Sequence, residues 1–156
     1  MAMKKILKKG EVLEAFTILN AANYKQLDDA DKIKLWKIAR VMKPVAKQLE
    51  EDSRDAAEKL KPENFDAQLE KAKEFEAKVQ KGDIDKLPMT EDEHLTFIRE
   101  VFQPFNNLVQ KAVDDETKKE VEIDFEPLTE DAFGKLMASN DWKIQQVMVL
   151  GNLIVE

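Results

Sequence analysis

Residues 28–82 read DDADKIKLWKIARVMKPVAKQLEEDSRDAAEKLKPENFDAQLEKAKEFEAKVQKG, a long charged stretch threaded by a narrow apolar seam. Lys61-Pro62 interrupts it once and Gly82 ends it. Apolar residues recurring every three or four positions predict helix, and the single break predicts an antiparallel helical hairpin. Asp28 or Asp29 is the expected N-cap of its first helix.

The two halves of that first helix differ. Ile33, Leu35, Trp36, Ile38, Val41, Met42 and Val45 cover more than half the circumference, so this part is expected to be embedded among other elements. From Leu49 onward only Ser53, Ala56 and Leu60 continue the seam, amid acidic neighbours. That half can bury one stripe and is expected to project. Pro44 lacks an N–H and crowds the carbonyl of Arg40, which predicts a kink or short break. Phe65, Leu69, Ala72, Phe75 and Val79 form the returning seam. At 1.5 Å per residue, an arm of roughly 20 residues a side is about 30 Å long. The expectation is one domain over 1–156 with 49–81 as a projecting hairpin, and Leu49, Leu60, Phe65 and Leu69 as its candidate interaction surface.

Outside the hairpin, Met3–Leu7 reads as an extended lead-in that stops at Gly10, before a helix over Glu11–Ala22. Thr90-Glu-Asp-Glu93 is a capping box. The helix it starts, through Val113, is the most apolar in the chain and the expected central core element, with Pro104 splitting or kinking it. Val121-Glu-Ile-Asp-Phe125 alternates apolar and acidic residues, the pattern of a strand with one buried face. Met3–Leu7 is its candidate partner. Thr129 is expected to cap a short helix, stapled by Leu128 and Phe133. Asp141 can cap Trp142–Ile154, although Val147–Leu150 also reads as strand. The fold class is therefore mainly α (α+β), with an all-α bundle as the alternative.

Composition agrees with few, long elements. Only 4 Gly and 5 Pro occur in 156 residues, so turn formers are scarce. Cysteine is absent, which excludes disulfides, thiolate metal sites and a cysteine nucleophile. A formal charge of −7 argues against a dedicated nucleic-acid binder. No segment approaches the roughly 20 apolar residues of a membrane span, and the basic start lacks a signal-peptide core. A cytoplasmic protein without a membrane partner is expected.

Three features carry candidate chemistry. Lys34, Lys37, Arg40, Lys43 and Lys47 concentrate positive charge on one helix, able to meet phosphates, an acidic partner or the chain's own carboxylates. Glu120, Glu122, Asp124 and Glu126 alternate, so their carboxylates point one way, roughly 6.6 Å apart. They could bridge a hard cation if another element added oxygens, or simply form the wet side of an edge strand. His94, the one histidine, is expected to be exposed beside Glu91 and Glu93, with no nucleophile or orienting group suggested near it. No phosphate-loop, dinucleotide-binding, zinc-protease or serine-elbow motif occurs. No cofactor and no enzymatic activity is expected.

The order of features resembles the small uncharacterised accessory proteins encoded by tailed phages and prophages. Lys4–Glu11 followed by Ala15–Asn20 looks like their short basic strand leading into a helix. Lys37–Ala46 with Glu50–Arg54 looks like their long helix, and Glu120–Glu126 with the terminal apolar segment like their closing strand and docked helix. The resemblance covers about half the chain. It implies a phage-encoded origin and an α-rich fold, and brings no activity or site residues. The expected function is a non-enzymatic protein-interaction or assembly protein, with homo-oligomerisation through the hairpin as one mode. The alternatives are a nucleic-acid-associated accessory protein using Lys34–Lys47 and a carboxylate-metal enzyme at Glu122 and Asp124.

Overall fold

Alternation in two short segments sets a two-stranded sheet. In the computed structural model, which describes residues 2–155, β1 (Met3–Lys8) pairs antiparallel with β2 (Glu120–Phe125). Met3, Lys5 and Leu7 lie opposite Phe125, Ile123 and Val121 on the inner face; Lys4, Ile6 and Lys8 lie opposite Asp124, Glu122 and Glu120 on the outer face. A one-residue slip of β2 would turn Val121, Ile123 and Phe125 to solvent, so its register is well specified.

The remaining elements are helical: α1 (Lys9–Asn20), α2 (Asp29–Leu60), α3 (Phe65–Gln80), α4 (Glu91–Thr96), α5 (Gln103–Thr117), α6 (Glu130–Ala138) and α7 (Ile144–Ile154). A π-helical turn over Phe97–Phe102 joins α4 to α5. The protein is thus mainly α with a two-stranded antiparallel sheet. Its residues divide into two compact units, Met1–Asp52 with Asp115–Glu156, and Ser53–Asp114.

The first unit holds the larger core. Val12, Ile38, Met42, Leu128, Leu136, Leu150 and Ile154 are fully buried, drawn from α1, α2, α6, α7 and the turn after β2. Lys5 sits on the inner face of β1 and donates Nζ to the carbonyls of Asn152 and Leu153 at 3.0 and 2.9 Å. A cation thereby meets the C-terminal carbonyls of α7, where helix partial charge is negative. Leu128 N–H donates to Ile154 O at 2.8 Å, tying the other side of that terminus.

Residues 142–154 are helical from Ile144, not from Trp142: Gln146 Oε1 accepts the Lys143 N–H at 2.9 Å, closing the first turn two residues later than Asp141 would. Gly10 likewise does not stop the lead-in. It lies in the first turn of α1, where an added Cβ would come 3.0 Å from Thr117 Cβ, so the missing side chain permits close packing.

The second unit is built from aromatics. Phe65, Ala72 and Phe97 are buried, with Leu69, Met89, Ile98, Val101, Phe102 and Phe105 packed around them. Phe65 places its ring 4.4 Å from Phe105, 6.0 Å from Phe97 and 6.5 Å from Phe102. The returning seam therefore finds its partners in 97–105. The stretch Thr90–Val113 is not the central core: only Phe97 in it is buried, and α5 has no buried residue.

Local chemistry explains the helix ends. Thr90 Oγ1 accepts from Glu93 N–H at 3.1 Å while Glu93 Oε1 accepts from Thr90 N–H at 3.3 Å. At Gly82, φ is +75°; its N–H donates to Val79 O and that of Asp83 to Lys78 O, a Schellman close. Pro104 has no N–H for Glu100 O, and the ladder upstream widens: Gln103 N–H reaches back to Ile98 O, one residue farther than in an α-helix. Pro44 causes no such interruption, and α2 runs unbroken from Asp29 to Leu60. Lys61 closes the turn after α2, with Nζ 2.8 Å from Glu58 and 3.1 Å from Asp66.

Candidate protein-interaction site

The first half of α2 has two unlike faces. Asp28 Oδ1 accepts the Asp31 N–H at 2.8 Å and fixes the helix start. From there Leu35, Ile38 and Met42 turn into the core. On the opposite side, Lys32, Trp36, Arg40, Lys43 and Lys47 follow one another at spacings of four, four, three and four, one continuous row on a helix. Trp36 is 58% exposed and Ile33 54%, so the broad apolar surface expected to be embedded is open on this side. Among the sequence candidates for the basic patch, Lys37, Arg40, Lys43 and Lys47 are exposed. Lys34 points elsewhere: its ammonium lies 3.5 Å from Glu126, and its side chain is 27% exposed. Lys32, which takes its place in the row, was missed because it sits among Asp28, Asp29 and Asp31.

Beside the row lies a groove of about 220 Å³, walled by Leu19, Tyr24, Lys32, Leu35, Trp36 and Ala39. Arg40 sets its guanidinium 4.7 Å from the centroid of the Trp36 ring. A cation over an indole face is attracted by the ring quadrupole, by about 0.5–1 kcal/mol at an exposed site. Tyr24, 51% exposed, forms the other lip. Its loop is positioned by Asn140, whose side-chain amide exchanges two hydrogen bonds with the Asn23 backbone.

The electrostatics of the row are one-sided. Residues 32–49 contain Lys32, Lys34, Lys37, Arg40, Lys43 and Lys47 and no carboxylate. Among the described residues, Lys34 alone of these six pairs with a carboxylate.

The other candidates are placed differently. Leu49 and Phe65 are buried and Leu60 and Leu69 half-buried, so the hairpin seam is occupied by the chain itself. The acidic side of β2 faces lysines across the sheet, with Lys4 Nζ 3.8 Å from Glu122. Among the described residues no group of three His, Asp or Glu side chains is arranged to hold a metal ion. His94 is not exposed as expected. Its side chain is 15% accessible, its ring stacks on Phe75 at 4.6 Å, and Nε2 lies 3.0 Å from Glu76 Oε1. That histidine buttresses α4 against α3. No helix among the described residues is long and apolar enough to cross a membrane. No family model, no curated protein and no solved structure matches the chain.

Proposed function

We propose that this is a non-enzymatic protein-interaction or assembly protein whose partner surface is the outer face of α2 and the Tyr24–Trp36 groove beside it. The observation that carries the reading is Trp36 itself: a large, costly-to-expose indole left more than half open, with the Arg40 guanidinium over its ring. Trp, Tyr and Arg are enriched at the energetic centres of protein interfaces, Trp and Tyr because they bury a large rigid area at low entropic cost. Here all three stand together, with Ile33 exposed on the same side of α2. The distal hairpin is the weaker choice, since Phe65, Leu69 and Ala72 already pack within the chain and Val79 is its one large apolar residue exposed among the described residues.

A phage or prophage origin accompanies this proposal, supported by the resemblance of Lys4–Glu11 with Ala15–Asn20, Lys37–Ala46 with Glu50–Arg54, and Glu120–Glu126; a cytoplasmic site of action goes with it as part of the same reading. Neighbouring genes for phage structural proteins are the expected observation. The direct test is affinity purification from the native host with wild type and Trp36→Ala in parallel. The expected result is a protein captured by the first and lost by the second, with unchanged thermal unfolding. Identical captures by both would remove the α2 face from consideration. A second copy of the chain as the captured protein would make the surface a self-association face.

A further inference from the structure

We infer that the α2 face takes an acidic amphipathic segment of its partner, seating an apolar side chain in the Tyr24–Trp36 groove and its carboxylates along Lys37, Arg40, Lys43 and Lys47. The inference rests on the interaction reading above and adds the chemistry of the partner. Charge complementarity carries it. The whole chain has a formal charge of −7. Residues 32–49 hold six positive and no negative side chains. Carboxylates return only at the ends of this run, with Asp28 and Asp29 one turn before Lys32 and Glu50 and Glu51 one turn after Lys47, and Lys34 turns to Glu126. Lys37, Arg40 and Lys43 have no carboxylate three or four residues away in either direction, where a helix would supply one cheaply.

The geometry narrows the occupant further. From Lys32 to Lys47 the row is about 22 Å long, the length of roughly four helical turns. It is one side chain wide and flanked by apolar surface at Ile33 and by the groove walls Leu19, Leu35 and Ala39. An amphipathic segment offers both a line of carboxylates and an aliphatic edge. A nucleic acid would present charge without that edge, and would bring a long polyanion close to a surface with an excess of carboxylates. One face of the Trp36 ring is also already covered by Arg40, which leaves less indole for base stacking. Exposed ion pairs add little affinity, so the charges steer and align while the anchor in the groove holds.

The test uses the full chain and four probes, each read by fluorescence anisotropy or co-sedimentation. The first is a synthetic acidic helix-forming peptide with Glu on one face and Leu on the other, and the second is the same peptide with Leu replaced by Ala. The third is a single-stranded oligonucleotide, and the fourth vesicles of phosphatidylcholine with phosphatidylglycerol. The expected result is that the acidic Leu peptide binds at least about tenfold tighter than any other probe. Its binding should weaken with salt and fall about tenfold in both Trp36→Ala and the Lys43→Glu, Lys47→Glu double variant. All three positions are exposed, so these variants are expected to fold normally.

Failure of the peptide to bind, indifference to the charge reversals, or equal binding of oligonucleotide or vesicles would overturn the acidic-segment assignment. A Trp36-dependent host partner together with a silent peptide would sink this inference alone. Loss of Trp36 dependence in the host capture would sink the interaction reading as well.

Discussion

Asn140 donates Nδ2 to the carbonyl of Asn23 at 2.8 Å and accepts the Asn23 N–H on Oδ1 at 2.7 Å, so one side chain satisfies both backbone groups of a residue 117 positions away. The same Nδ2 also donates to Leu136 O at 2.8 Å, at the end of α6. This clamp is what sets the loop that carries Tyr24. Asn140→Ala removes three hydrogen bonds at a partly exposed site, where each contributes about 0.5–1.5 kcal/mol. A loss of about 1.5–4.5 kcal/mol in urea unfolding is expected, toward the lower end because the site is open to water. Exchange of the Asn23 amide should accelerate more than that of core amides, and Asn140→Asp, which keeps the acceptor and drops the donor, should fall between.

Phe65 is the test of how the second unit is held. Its ring is 4% exposed and meets Phe97, Phe102 and Phe105 at once. Truncating a buried phenylalanine to alanine costs about 3–5 kcal/mol through lost transfer energy and the cavity left behind. Phe65→Ala should therefore strip amide protection from residues 65–105 while Leu128, Leu136 and Leu150 keep theirs. Phe65→Leu, which refills most of the volume, should cost less than half as much. Equal loss of protection in both units would show that they unfold as one.

What could be read from the sequence was the chemistry that acts over a few residues. The Thr90–Glu93 box, the Thr129 cap, the Gly82 close and the alternation of Val121–Phe125 each depend on neighbours within one turn or one strand. The facing of α2 was not legible for a physical reason. Ile33, Leu35, Trp36 and Ile38 are apolar nearly all the way round, so periodicity alone allows several inward faces. The orientation is marked by contacts distant in sequence, including Lys34 with Glu126. Of the candidate patch residues, Lys37, Arg40, Lys43 and Lys47 are consequently exposed, while Lys34 turns toward Glu126. The seam at Phe65 was read correctly as apolar, but its aromatic partners lie more than 30 residues onward, beyond any local signal.

The glycines in helices make opposite predictions. Replacing a mid-helix glycine by alanine gains about 0.8–1.0 kcal/mol of propensity. At Gly134 nothing lies within 4 Å of the new Cβ, so Gly134→Ala should stabilise by about that amount. At Gly10 the Cβ would meet Thr117 Cβ at 3.0 Å and Thr117 O at 3.3 Å. Overpacking of this kind costs about 1–3 kcal/mol, which exceeds the propensity gain. Gly10→Ala should therefore destabilise, and the two variants should move the unfolding midpoint in opposite directions. A Gly10→Ala protein more stable than wild type would mean that Thr117 yields at no cost.

Lys5 supplies a pH signature whose sign is distinctive. Burial on the inner face of β1 pushes its ammonium below the ordinary lysine value of 10.5. In the folded chain this group therefore releases its proton at a lower pH than in the unfolded chain. Between the two pKa values the unfolded state binds more protons, so the Lys5 contribution to stability rises with pH across that window. Lys61 and Lys119 act in reverse. Hydrogen bonds to Glu58 and Asp66, and to Glu116, hold them above the usual value, so their contribution is complete below 10.5 and lost as pH climbs through the raised folded values. Lys5→Met separates the two. The stability of wild type relative to Lys5→Met should increase as pH rises toward 10.5, whereas wild type relative to Lys61→Met should hold level there and decline only above it. Urea titrations of the three proteins at matched alkaline pH values measure both differences. A Lys5 difference that falls with pH would mean that the α7 carbonyls of Asn152 and Leu153 favour the charged ammonium more than burial opposes it.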